Sequence, residues 1–90
     1  MEIYEYLENA AILKEIDMEL VRAREKFKPI NSAHEGYAVI LEEVEEFWQQ
    51  VMLKKSLRDP EAMRKELIQI AAMAIRTLQD VIDTGTDPQV

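Results

Sequence analysis

Two glycines and three prolines are the only strong backbone breakers in this 90-residue chain, and a chain so poor in them has few places to turn. They punctuate three long segments with little between them. That is an all-α pattern, and each segment reads as one helix. Ninety residues make one small domain with a modest core, a size often stabilised by association. The expected architecture is three long helices per protomer, forming a helical bundle by dimerisation or higher association. Residues 1–85 form that single domain, and Thr86-Asp87-Pro88-Gln89-Val90 (86–90) is expected to be a mobile tail.

The first segment, residues 2–27, carries Ile3, Leu7, Ala10, Leu13, Ile16, Leu20 and Phe27 at mostly three- and four-residue spacing, one apolar stripe. Residues 19–26 are of mixed charge and read as a solvated face. Pro29 stops the helix, with Lys26 and Lys28 suited to the negative end of its dipole. Ser32-Ala33-His34-Glu35 fits a capping box and predicts a second helix over residues 33–55. Its core stripe is Tyr37, Ile40, Leu41, Val44, Phe47, Trp48 and Val51. The third helix starts with Asp59 as N-cap and Pro60 at its first position, and ends near Thr84 with Gly85 just beyond. Between residues 67 and 75 the only polar residue is Gln69. A helix apolar around most of its circumference needs cover on several sides, more than two neighbours provide, so a homo-oligomer (dimer or tetramer) is expected. Met52, Met63 and Met73 read as packing residues.

Against this apolar framework stands Glu42-Glu43-Val44-Glu45-Glu46, four carboxylates in five residues. Like charges one turn apart cost a helix roughly 0.2–0.5 kcal/mol per pair. Glu42 and Glu46 fall opposite the core stripe and Glu43 on its flank. Glu43 and Glu46 are about 60° apart on the helical wheel, close enough to share an ion. Carboxylate oxygens are the ligands that Mg²⁺, Mn²⁺ and Ca²⁺ prefer. On spacing alone, a solvated acidic face is the competing explanation.

The stretch Leu41-Glu42-Glu43-Val44-Glu45-Glu46-Phe47, followed by Glu66-Leu67-Ile68-Gln69, resembles the MazG-like nucleotide pyrophosphohydrolases of the all-α NTP pyrophosphatase superfamily. Their mark is E-x-x-E on one helix and E-x-x-D on the next. Glu43 and Glu46 match the first half and Glu66 begins the second, but Gln69 stands where the family has Asp; the resemblance covers roughly residues 34–80. It implies a metal site of Glu43, Glu46, Glu66 and Gln69 for Mg²⁺ or Mn²⁺, with Glu42 as a further ligand or the catalytic base. The implied reaction is hydrolysis of a nucleoside triphosphate to monophosphate and pyrophosphate. Gln69 supplies a neutral carbonyl and an amide donor instead of a charge, so it is equally readable as a buried residue on a dimer seam. The alternatives are a non-catalytic MazG-like helical dimer acting as an interaction or regulatory protein, and a subunit whose site a partner chain completes.

A net charge of −7 argues against a nucleic-acid binder, which needs clustered Lys and Arg, but leaves room for a nucleotide bridged by metal. The chain has no cysteine and one histidine, so neither disulfides nor a thiolate or His-rich zinc site is expected. His34 reads as a surface or capping residue. No signal peptide and no apolar run of membrane-spanning length are present, and a soluble cytoplasmic protein is the expectation. Lys54, Lys55, Arg58, Arg64 and Lys65 surround the turn before the third helix and read as a solvated helix end, with phosphate contact as the alternative. Phe47 and Trp48 read as core, with base stacking as the alternative.

Overall fold

The computed structural model describes residues 2–85. Three helices make up the chain: α1 (Ile3–Lys26), α2 (Ala33–Val51) and α3 (Pro60–Thr77), with a 3₁₀ turn at Lys55–Leu57 and a π-helical turn at Leu78–Ile82 extending α3. No strand occurs among the described residues. The expected all-α class is what the chain adopts. No helix is long and apolar enough to cross a membrane. The tail expected at 86–90 lies outside the described residues.

Both later helices begin where their caps are written. Ser32 Oγ accepts from Glu35 N–H at 3.1 Å, and Asp59 Oδ1 accepts from Glu61 and Ala62 N–H at 3.0 and 3.3 Å, with Pro60 next. The capping box closes differently from its usual form, since the Glu35 carboxylate accepts from the Asn31 N–H at 3.3 Å rather than from that of Ser32. Helix α2 ends at Val51 rather than running to residue 55. Arg58 folds back on that end and donates to the carbonyls of Val51 (2.7 Å) and Leu53 (3.1 Å), satisfying acceptors a longer helix would have used internally. Gly85 takes the left-handed conformation, φ 66°, expected of a residue just past a helix end.

Helix α3 is central, and α1 and α2 pack on it more than on each other. The α2–α3 pair is antiparallel, its register marked by contacts of Gly36 with Thr77, Glu43 with Gln69 and Gln50 with Asp59. Gly36 is buried, and a Cβ there would lie 2.6 Å from Thr77 Cγ2. Helix α1 runs parallel to α3, joined by ion pairs of Glu15 with Arg64 and Arg24 with Asp80. The Glu15 pair meets α3 only one turn into that helix, so the first three turns of α1 run past its beginning.

That overhang changes the expected apolar stripe. Ile16 and Leu20 pack with Ala23, Ala72 and Met73, but Ile3, Leu7, Ala10, Leu13 and Phe27 are exposed. On α2, Ile40 packs against this core while Tyr37, Val44 and Trp48 are exposed. The radius of gyration, 15.1 Å, exceeds the about 12 Å of a compact chain of this length.

The α1–α2 linker is locked to the end of α3. Ile30 is buried and its N–H donates to Asp80 Oδ2 at 3.0 Å; Arg24 donates to Asp80 Oδ1 at 3.0 Å. Arg76, 3 % exposed, donates to the Lys28 carbonyl at 3.0 Å and lies 6.0 Å from the Phe27 ring centroid. Burial alone would raise the Asp80 carboxyl. The Ile30 N–H, Arg24 and Arg76 outweigh it and hold the group below its ordinary range.

Candidate metal centre

In an antiparallel pair with this register, an i,i+3 pair at the middle of α2 faces an i,i+3 pair on α3. Glu43 and Glu46 therefore meet Glu66 and Gln69. One carboxylate oxygen from each of Glu43, Glu46 and Glu66 lies within 4.8 Å of the others, and this is the trio that the E-x-x-E spacing and Glu66 marked. Glu43 and Glu66 are half-buried and Glu46 is exposed. Glu42 and Glu45 are exposed on α2 and stand outside the trio, although the charge of Glu42 is felt at Glu43.

The electrostatics follow from three like charges, two of them partly buried. Burial pushes the Glu43 carboxyl up, its contact with Glu66 adds to this, and the charges of Glu46, Glu66 and Glu42 take it to about 7. Glu46 is raised as well, first by its contact with Glu66 and then by burial, while Glu43 and Lys65 pull the other way. Gln69 partly relieves the repulsion. With its amide nitrogen turned to the cluster, it donates to Glu43 Oε2 at 2.7 Å and to Glu66 Oε2 at 3.2 Å. Gln69 thus stands beside the acids.

The donor set suits a hard divalent cation. Three carboxylates offer oxygen ligands, and rotation of the Gln69 amide would present its carbonyl oxygen as a fourth. The i,i+3 spacing on α2 pointed to Glu43 and Glu46, and the family resemblance added Glu66 and Gln69. Neither marked the surroundings. Arg22 and Lys26, read as part of a solvated face of α1, line with Lys65, Gln69 and Glu43 a cavity of about 330 Å³ beside the acids. The one signal for this in the sequence was the one-turn spacing of Arg22 and Lys26, which carries no information about what they face.

Of the basic residues around the 52–59 turn, Arg58 serves the α2 terminus and Arg64 pairs with Glu15, whereas Lys65 reaches the cavity. His34 is exposed, and so is Trp48, which the core reading placed inside. Compared with known protein families, curated proteins and solved structures, the chain finds no match.

Proposed function

We propose that this chain is a MazG-like, Mg²⁺-dependent nucleoside triphosphate pyrophosphohydrolase that works as a homo-oligomer. The convergence of Glu43, Glu46 and Glu66 within 4.8 Å carries the reading. Glu43 is raised by burial and by the neighbouring acids, and Glu46 by its contact with Glu66, a penalty on the charged forms that a divalent cation relieves. Glu43, Glu46 and Glu66 would hold the ion, with Mn²⁺ as an alternative occupant and the Gln69 carbonyl completing the set. Such an ion supplies neutralisation of phosphate charge and acidification of water. Glu42, exposed beside the trio, is assigned the proton from the water that attacks the α-phosphorus. Water adds to that phosphorus, the bond to the bridging oxygen breaks, and monophosphate and pyrophosphate leave.

Self-association rests on exposed apolar surface. Tyr37, Val44 and Trp48 form one exposed stripe on α2, continued by Met52 at its C-cap, and Ile3, Tyr4, Leu7 and Leu13 protrude on the α1 overhang. A second copy of the chain is the occupant that brings both faces at once. One observation favours the non-catalytic alternative: Gln69 already donates to two of the three acids, so part of their repulsion is relieved without an ion.

Calorimetric titration of Mg²⁺ and Mn²⁺, with and without a nucleoside triphosphate, separates the two. Binding with pyrophosphate release supports the enzyme, and Gln69→Asp should strengthen both. A protein indifferent to divalent ions, in which Gln69→Asp only destabilises, is an interaction protein.

A further inference from the structure

Because α1 and α2 both lean on α3 and little on each other, an open trough remains between them with α3 as its floor. Its charges are unevenly spread. Helix α1 contributes Arg22 and Lys26, one turn apart, together with Glu19; α2 contributes Glu43; and the floor carries Lys65 and Gln69, also one turn apart. The two cations of α1 therefore stand about 6 Å apart along its axis, longer than a single phosphate, with Lys65 of α3 as the third. They stand directly against an acidic centre in a chain of net charge −7.

None of the three cations is consumed by the fold. All three are exposed. Arg22 pairs with Glu19 on its own helix, and the Lys26 ammonium rests 5.5 Å from the Phe27 ring centroid. Lys65 bears on Glu46 across α3 and α2. Although the Glu19 side chain is largely covered, the cations themselves lie in solvent, and contacts of this kind are weak and exchange readily for a stronger anion. The fold's own needs are met elsewhere, by Arg24, Arg58, Arg64 and Arg76.

We propose that the trough between α1 and α2, floored by α3, is a polyphosphate-binding groove, in which Arg22, Lys26 and Lys65 hold the phosphates that lie beyond the Glu43–Glu46–Glu66 centre. This rests on the metal reading for the inner end of the ligand but adds the residues that bind its outer end. Guanidinium and ammonium groups donate charge-assisted hydrogen bonds to phosphate oxygens. A triphosphate would then bridge two sites of opposite sign: an ion held by the acids at one end, and cations of the protein along the remainder. The acids alone would repel such a ligand, and the cations alone would have no reason to sit beside them.

The test is calorimetric titration of the full chain with inorganic tripolyphosphate in excess Mg²⁺, with orthophosphate as a parallel probe. Tripolyphosphate should bind more tightly than orthophosphate. The Arg22→Gln/Lys26→Gln/Lys65→Gln variant should lose at least about tenfold in tripolyphosphate affinity. Its affinity for Mg²⁺ alone should stay the same or rise, since positive charge beside the carboxylates has been removed. A second triple variant, Lys14→Gln/Lys54→Gln/Lys55→Gln, makes the same change of net charge away from the trough and should keep its affinity. Equal losses in both triple variants, equal binding of the two phosphates, or no binding of tripolyphosphate would overturn the groove. Failure of the metal reading looks different: tripolyphosphate would bind, sensitive to Arg22, Lys26 and Lys65, but would not respond to Mg²⁺.

Discussion

Asp80 and Glu43 are carboxylates withdrawn from water in the same small bundle, and burial pushes both upward. They end on opposite sides of their ordinary values. Asp80 meets a backbone N–H and two guanidinium groups and is held low, whereas Glu43 meets three other carboxylates and is driven to about 7. The sign of the neighbours decides the outcome, because desolvation acts alike on both. The end of the bundle around Asp80 is therefore built for folding, and the centre around Glu43 works against it. A cluster that lowers the stability of its own fold is what a site prepared for a ligand looks like.

The comparison breaks first if Asp80 proves dispensable. Asp80→Ala removes the acceptor for Ile30 and Arg24 and takes away a negative charge that the buried Arg76 interacts with. Breaking such a pair from one side should cost about 3 kcal/mol in urea unfolding. The pH profile has a definite sign. A carboxyl lowered on folding contributes stability that is present above its ordinary 3.8 and lost as pH falls through the lower folded value. Wild type should therefore lose this contribution on acidification, and Asp80→Ala should not. A flat comparison between them would remove Asp80 from the lock.

Packing at the same end gives the next effect. Gly36→Ala would gain about 1 kcal/mol in helix propensity. The added Cβ would meet Thr77 Cγ2 at 2.6 Å and Thr77 Oγ1 at 2.8 Å, and Thr77 is itself held by a 2.9 Å bond to the Met73 carbonyl. Overpacking of this kind costs about 1–3 kcal/mol, so net destabilisation is expected in thermal unfolding. A more stable variant would mean that α2 and α3 are farther apart at this crossing. Smaller again are the caps: Ser32→Ala and Asp59→Ala should each cost about 1 kcal/mol and leave any Mg²⁺ response unchanged.

What the sequence made legible follows the range of the interactions. The caps at Ser32 and Asp59 act over two or three residues, and Glu43 and Glu46 stand three apart on α2, so both could be read directly, whereas Glu66 was marked only by the resemblance. The lock could not. Asp80 reaches Ile30 across fifty residues and Arg76 reaches Lys28 across forty-eight, and nothing local distinguishes these residues from a solvated helix end. The stop of α2 at Val51 likewise depends on Arg58 returning to its carbonyls. Apolar periodicity foretold which residues share a face but not what covers it. Leu7 and Leu13 lie on the same stripe as Leu20, yet α3 begins too late to reach them.

The smallest expected change in stability bears most directly on the centre. Glu46→Gln removes one charge from an exposed position facing Glu66, and relief of a like-charge contact should stabilise the ion-free protein by roughly 0.2–0.5 kcal/mol. The same substitution should abolish most of the stabilisation that Mg²⁺ confers on wild type, because only an ion bound to the folded state raises its melting temperature. The pH dependence runs opposite to that of Asp80. Glu43 is raised on folding, so its contribution to the ion-free protein is fully present below its ordinary 4.5 and is lost as pH rises towards about 7. Stabilisation by Mg²⁺ should grow over that same interval, since binding requires the carboxylate. Thermal unfolding between pH 5 and 8, with and without Mg²⁺, should therefore give two curves that diverge as pH rises. Parallel curves, together with a Glu46→Gln variant that melts like wild type in Mg²⁺, would sink the metal centre while leaving the lock and the caps untouched.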